Sequence, residues 1–553
     1  MKLLIANRGE IAVRIMRAAA EMGIPTVAVY SEDDQQSLHT RKADNMVPLK
    51  GIGAAAYLNI ENILLAARDN GCDAIHPGYG FLSENAAFAR RCAEEGITFV
   101  GPQAETLSLL GDKSLARSLA QRCEVPILPG LEGPVSLEQV REFMTSLEKS
   151  DSIMIKALSG GGGRGMRVVH EMDELEEAFT RCQSEAQQAF GNDDLYVEQY
   201  KTDARHIEVQ IVGDGSGAVC HLGERECSIQ RQHQKIVEVA PCPTLSPVLR
   251  EQLFADAKKL AGEVNYLNVG TFEFMVDINS DEDDAAYTFM EANTRLQVEH
   301  TVTEAVMDVD LVKIQLQLAA GSTLAELGLI QDKIPAPRGF AIQARINMET
   351  LSADGTALPS GGTLSAFEVP SGLGIRTDTF GYAGYQTSSN FDSLLAKLIG
   401  HSTAPHFDIA VGRTYRALCE FKIEGVATNI PFLQNLLQHP DFIANKVSTR
   451  FVEQNIGNLV KTGESTHQKF FFDERPSVQP HIGAKLDETD PLAVLDYGRS
   501  GTRQTSAIDV TEAPVNLSGY GEESTGDGLI KSGMQGTIVS VDVTEGELVN
   551  KGQ

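Results

Sequence analysis

Residues 289–300 read F-M-E-A-N-T-R-L-Q-V-E-H. As an extended strand, this run places Glu291, Asn293, Arg295, Gln297 and Glu299 on one face and Met290, Ala292, Leu296 and Val298 on the other. An edge strand with its polar side in water would show the same alternation. A second run, G-T-F-E-F-M-V-D-I at residues 270–278, is rich in strand formers, and the acidic residues 279–285 between the two have turn composition. In a symmetrical hairpin Glu273 stands opposite Glu291. Two facing carboxylates repel unless one is protonated or a cation lies between them. Carboxylate and amide oxygens suit magnesium or manganese, and magnesium so held keeps positions open for phosphates. The spacing therefore predicts Glu273, Glu291 and Asn293 as metal ligands, with Arg295 beside them for an anion.

A phosphate site is also written upstream. Residues 153–169 read I-M-I-K-A-L-S-G-G-G-G-R-G-M-R-V-V, with glycines between two strand-like runs. Successive glycines let backbone N–H groups turn towards a phosphate, and Lys156 and Arg164 add charge. No G-K-[ST] follows, so the loop is expected to cover a nucleotide from a hairpin rather than from a helix N-terminus. Residues 197–212 and 227–238 are strand-like and carry His206, Gln230, His233 and Lys235. Spacing by two puts His233 and Lys235 on one strand face as an anion-binding pair.

The elements that must position these groups follow from the apolar periodicity. A strand at residues 3–6, a helix at 10–22 with Ile11, Ile15 and Met22 on one face, and a strand at 26–30 open the chain, with Gly23 at the helix C-terminus. Helices are expected at 59–70, stopped by Gly71, and from a Ser83 cap to Glu95, stopped by Gly96, each followed by a short strand. This alternation implies a parallel sheet with helices on its faces. The first strand leads into N-R-G-E, without the G-x-G-x-x-G fingerprint of a dinucleotide fold.

At 553 residues the chain should form several domains. A net charge of −29 without a run of lysines and arginines argues against nucleic acid or an anionic membrane as partner. The eight scattered cysteines form no C-x-x-C pair and read as thiols in a reducing compartment. No signal-like segment and no bilayer-length apolar run stands in the sequence, so the expectation is a cytoplasmic protein.

The chain resembles the biotin carboxylase component of biotin-dependent carboxylases, within the ATP-grasp superfamily. The blocks that carry this are A-N-R-G-E-I-A at Ala6, H-P-G-Y-G-F-L-S-E-N at His76, G-D-K at Gly111, G-G-G-G-R-G-M-R at Gly160, Q-R-Q-H-Q-K at Gln230, T-F-E-F at Thr271 and E-A-N-T-R-L-Q-V-E-H at Glu291. Together they span roughly residues 1–450. The resemblance implies an α/β and α+β multidomain protein: an N-terminal parallel α/β domain at 1–112, an ATP-grasp domain at 113–332 with a glycine-rich lid within 131–203, and a C-terminal biotin carboxylase domain at 333–445.

It further implies ATP held by Lys113, Lys156, Gly162, Gly163, the hinge Glu198, Gln199, Tyr200 and Lys201, and by His206, Gln230 and His233. Two magnesium or manganese ions would lie on Glu273, Glu291 and Asn293, which agrees with the hairpin argument. Bicarbonate would sit against Lys235, Arg295, Gln297 and Val298, Glu299 would take its proton, and Arg345 would stabilise the enolate form of biotin's ureido group. The product of the first step would be carboxyphosphate. Gln199, where a lysine is usual, Thr301, where proline is common, and M-E-T after R-I-N, where A-E-D is commoner, depart from the family pattern. They bear on adenine contacts and on geometry near biotin.

Residues 446–528 read as a linker, flexible from about 499, where Gly, Ser, Thr and acidic residues crowd out large apolar ones. Residues 529–553 resemble the first half of a biotinyl carrier domain, whose modified lysine in an A-M-K-M turn is not among them. The expectation is a fragment of a larger polypeptide, acting with a carrier domain and a carboxyltransferase and forming a homodimer. The run D-P-L-A-V-L-D-Y-G-R at 490–499 resembles fused acyl-CoA carboxylases and favours an acyl-CoA acceptor, while acetyl-CoA, propionyl-CoA, longer acyl-CoAs, pyruvate and urea all stay open on the sequence. A carbamoyl-phosphate-synthetase-like ligase and a non-catalytic carrier-binding scaffold are the alternatives.

Overall fold

The computed structural model describes residues 1–131, 133–147, 152–158, 165–201, 203–278, 286–461 and 467–471. The glycines at 162 and 163, Arg164, the 279–285 connection, the expected linker from 472 onward and the expected carrier segment lie outside the described residues. Residues 446–461, expected as linker, instead carry the helix Phe451–Leu459, whose Phe451, Val452 and Leu459 are buried in one core with Phe432, Leu433 and Phe442.

The N-terminal strands form a five-stranded parallel sheet in the spatial order Asn45–Pro48, Thr26–Tyr30, Leu3–Ile5, Ala74–His76 and Thr98–Phe99. Its helices are Gly9–Glu21, Ile60–Asp69 and Ala86–Glu94, as the alternation required. Gly23 and Gly71 follow the first two at φ +67° and +60°, left-handed positions that release a side chain's steric penalty. The third helix starts two residues later than expected. Asn85, not Ser83, is its N-cap, accepting from the Phe88 N–H at 2.8 Å.

Lys113 opens the helix Lys113–Arg122, whose cap Asp112 accepts from the N–H groups of Ser114 and Leu115 at 2.9 and 3.0 Å. Asp112→Ala should cost about 1 kcal/mol locally. Hydrogen exchange of that helix should then be roughly fivefold faster, whereas an unchanged rate would argue that the cap does not anchor Lys113.

Eight strands build the central antiparallel sheet: Tyr287–Asn293, Leu267–Asp277, Ala204–Asp214, Val219–Arg231, Gln234–Ala240, Phe340–Asn347, Leu394–Ser402 and Ile375–Thr379, in that order. It takes strands from both sides of residue 333, so the nucleotide-type residues and Arg345 stand on one continuous ladder. A smaller three-stranded sheet, Met166–Val169, Ser152–Ala157 and Leu195–Tyr200, packs with the helix Leu175–Phe190 around Ile153, Ile155, Leu175, Cys182 and Val197. Its first two strands pair antiparallel, with Lys156 opposite Met166, which is the hairpin expected around the glycine-rich loop.

Three further expectations are corrected. Residues 197–212 fall in two strands of two sheets, one ending at Tyr200 and the next beginning at Ala204. The 289–300 run is a strand only to Asn293; it then turns and enters the helix His300–Met307. His233 does not share a strand face with Lys235. Gln232 and His233 form the two-residue turn between Val219–Arg231 and Gln234–Ala240 at φ +48° and +66°, the backbone twist that tight hairpins prefer. No helix among the described residues is long and apolar enough to cross a membrane.

Candidate active site

The register of the Leu267–Asp277 and Tyr287–Asn293 hairpin puts Glu273 directly opposite Glu291, as the charge argument required. A bulge follows at once, between Glu273 and Phe274, where Met290 is the extra residue. Glu273 is buried and gathers donors: His206 Nε2 at 2.6 Å, Lys235 Nζ at 3.2 Å, Gln297 Nε2 at 3.0 Å and the Asn293 amide. Burial by itself would raise its pKa, but Lys235 and His206 overcome that and hold it at about 2.

Glu291 faces Lys113 at 3.8 Å and is also held below the ordinary carboxylate range, burial being outweighed by Lys113 and Lys156. Two ionised carboxylates with an amide beside them form an oxygen-rich donor set that fits a hard divalent cation. The Asn293 oxygen, which would join that set, accepts from Arg295 Nη2 at 3.1 Å. His206, Glu208 and Glu273 form a second group able to hold a cation, sharing the Glu273 carboxylate.

After Asn293 the chain no longer alternates, yet its polar side chains still converge. Arg295 donates to Glu84 at 2.8 Å and to Gln297 at 2.7 Å, while Gln297 reaches Thr271 and Glu273. Glu299 is the N-cap residue of the helix His300–Met307 and is almost wholly buried. Lys235 Nζ donates to its Oε1 at 2.7 Å, and Arg345 Nη2 to its Oε2 at 3.1 Å.

All three donors of the Lys235 ammonium are occupied by carboxylates, those of Glu299, Glu273 and, at 2.6 Å, Glu208. Burial would raise the Glu299 carboxyl; Lys235, Arg345 and Arg225 instead hold it below its ordinary value against the charge of Glu208. Its neighbour Glu238 goes the other way. Burial pushes it up despite Arg345, and the Glu299 charge adds to the rise.

On the lid side, Lys156 pairs with Glu198, which also accepts from Tyr196, and Arg117 stands 3.8 Å away. Gln199 N–H donates to the Pro129 carbonyl at 2.8 Å, Tyr200 pairs with Ser152 as the last residue of the strand, and Lys201 follows it. His206 Nδ1 meets Gln230 Nε2 at 2.8 Å, which joins the two central strands. His233 is exposed at its turn. Val298 offers its carbonyl to Lys397 Nζ at 3.0 Å.

Sequence reasoning overlooked Glu208, Arg225, Glu238, Glu84 and Lys397. Arg225, fully buried, pairs with Glu208 and donates to Gln210 and Thr303 at 2.8 and 2.9 Å, so it neutralises the face behind Lys235. One signal was available: Glu208 follows His206 by two and shares its strand face. Arg345 and Glu238 come from strands that are neighbours in the sheet but 107 positions apart in the chain, and nothing local to either marks the pair.

A hairpin of short strands beside a sheet lined with lysines, carboxylates and an amide is the arrangement expected of the ATP-grasp class. Comparison with known proteins narrows this. Family models of the biotin carboxylase N-terminal domain, the carbamoyl-phosphate synthase L chain ATP-binding domain and the biotin carboxylase C-terminal domain match residues 1–107, 112–327 and 343–454. The biotin carboxylase domain of Hydrogenobacter thermophilus 2-oxoglutarate carboxylase, solved as a dimer with MgADP, ADP and bicarbonate, is 42% identical with a TM-score of 0.78, and the match covers 84% of this chain and 99% of that one. A single-chain, multi-domain long-chain acyl-CoA carboxylase is 42% identical at a TM-score of 0.73, over 83% of this chain and 43% of that one. Pyruvate carboxylase of Staphylococcus aureus is 48% identical over 459 residues, 82% of this chain, so the chain spans 39% of that relative's length. The chain belongs to the biotin carboxylase family.

Proposed function

We propose that this chain carries out the ATP- and bicarbonate-dependent carboxylation of biotin on a carrier domain, through carboxyphosphate, as the first half-reaction of a biotin-dependent carboxylase. The observation that carries the reading is Glu299. It is a buried carboxylate held ionised between Lys235 and Arg345, one cation on each oxygen. A carboxylate so placed is a general base kept deprotonated and shielded from water.

Glu299 takes the proton of bicarbonate, which makes an oxygen nucleophilic towards the terminal phosphorus of ATP. Lys235 and Arg295 neutralise the charge that develops there. Lys113, Lys156, Glu198 to Lys201, His206, Gln230 and His233 hold the nucleotide, with the glycines at 162 and 163 as its cover. Glu273, Glu291 and Asn293 would hold magnesium or manganese, which supplies charge neutralisation at the phosphates. Arg345, which donates to Glu238 and Glu299, would stabilise the enolate form of biotin's ureido group.

The relatives named above are carboxylases of pyruvate, 2-oxoglutarate and long-chain acyl-CoA. The proposal is the half-reaction such enzymes share; the acyl-CoA acceptor expected from residues 490–499 is one of these three classes. A biotinyl carrier domain and a carboxyltransferase are the proposed partners, and a homodimer is the proposed assembly. Biotin carboxylase matches on both sides of the ATP-binding match favour this reading over a carbamoyl-phosphate-synthetase-like ligase.

ADP release with ATP, magnesium and bicarbonate, with and without a high concentration of free biotin, tests it. Bicarbonate-dependent stimulation by biotin is expected, and turnover indifferent to biotin would overturn the reading. In the same assay Arg345→Ala should spare most bicarbonate-dependent ATP hydrolysis while lowering biotin carboxylation on the order of a hundredfold. Equal loss of both would place Arg345 in the ATP half of the site.

A further inference from the structure

The segment from Leu296 to His300 is neither strand nor regular helix before His300, yet its peptides are locked. The Gln297 carbonyl accepts from His300 Nδ1 at 2.8 Å and from the His300 N–H at 3.3 Å. The Val298 carbonyl accepts from Lys397 Nζ at 3.0 Å. In a trans peptide the following N–H points opposite to the carbonyl. The N–H groups of Val298 and Glu299 are therefore turned away from these buried donors, and neither has a protein acceptor among the described residues.

Lys397 is an unusual residue for this place. It lies on the strand Leu394–Ser402 with its side chain fully buried. Burying an ammonium costs several kcal/mol unless it is paired. Here the pair is Glu10 at 3.0 Å, whose carboxylate also accepts from the Tyr79 hydroxyl, and the Tyr79 ring lies 6.0 Å from Lys397 Nζ. A hydrophobic residue would fill the same space without that cost, but it could not hold a carbonyl. Lys397 is also directly opposite Arg345 in the ladder and so shares its sheet face.

We propose that Lys397 is a positioning residue for bicarbonate. By holding the Val298 carbonyl, it presents the Val298 and Glu299 N–H groups to the anion and ties that peptide to the strand pair that carries Arg345. Glu10 and Tyr79, from the N-terminal domain, keep the ammonium in place. The proposal rests on the carboxylase reading above.

Removing Lys397 alone would leave Glu10 buried without a counter-charge, so the variant is Lys397→Met with Glu10→Gln, which removes both charges. Steady-state ADP release should show the KM for bicarbonate raised at least tenfold and the KM for ATP within twofold of the parent. Restoring a neutral donor, as Lys397→Gln with Glu10→Gln, should recover much of the bicarbonate KM. An unchanged bicarbonate KM, or an equal rise in both constants, would overturn the positioning role while leaving the carboxylase reading intact. A parent chain without bicarbonate-dependent turnover would overturn both. Should the methionine variant fail to fold, hydrogen exchange on the unaltered chain decides the matter: with ADP and magnesium present, bicarbonate should slow exchange at Val298 and Glu299, and no slowing there would sink the proposal.

Discussion

Glu299→Gln is expected to lower kcat for bicarbonate-dependent ATP cleavage on the order of a thousandfold, within the range that a positioned general base supplies. The exchange keeps the shape but removes the charge and turns one of the two accepting oxygens into an amide donor, so only one of Lys235 and Arg345 keeps its acceptor. The side chain can no longer take a proton, and Lys235 loses one of its three carboxylates, retaining Glu208 and Glu273. ATP binding should change little, because the residues proposed for the nucleotide lie elsewhere on the sheet and on the lid. ADP release measured beside nucleotide affinity separates the two quantities. A variant with weakened ATP affinity and normal turnover at saturation would show that Glu299 organises the nucleotide rather than the proton transfer.

The second large effect belongs to Glu291. Glu291→Ala should abolish magnesium-dependent turnover, a loss of a thousandfold or more, since it removes one of the two facing carboxylates and leaves Lys113 without its partner at 3.8 Å. The fold should survive, because Glu273 keeps its donors His206, Lys235 and Gln297. Titrating activity against magnesium, and measuring magnesium binding calorimetrically, would show the affinity fall together with the rate. Near-normal turnover at ordinary magnesium would remove Glu291 from the metal site.

Much of this was legible before any coordinates. The facing of Glu273 and Glu291 followed from two strand-like runs and a turn between them, and the structure has that register. The lid hairpin followed from β-branched runs on either side of glycines. The failures share a cause. Period-two spacing was extended past Asn293 into Arg295, Gln297 and Glu299, and across Gln232 into His233, where the chain turns. Alternation describes a strand but does not mark where one ends. The converging side chains beyond Asn293 are held by tertiary partners, Glu84 for Arg295 and Lys235 for Glu299.

The sequence by itself determined which chemistry is present: two carboxylates and an amide for a hard cation, glycines and lysines for phosphates, and the blocks that resemble biotin carboxylases. Those are properties of residue type and local spacing, and short-range patterns carry them. Only the tertiary structure decided the electrostatics. Glu299 is held ionised because Lys235 from one strand and Arg345 from another reach its two oxygens, with Arg225 buried behind. Glu238, from the same sheet, is pushed the opposite way. A carboxylate's proton affinity depends on the distance and burial of every nearby charge. Residues 46 and 64 positions apart in the chain set that for Glu299, and no local pattern records such distances.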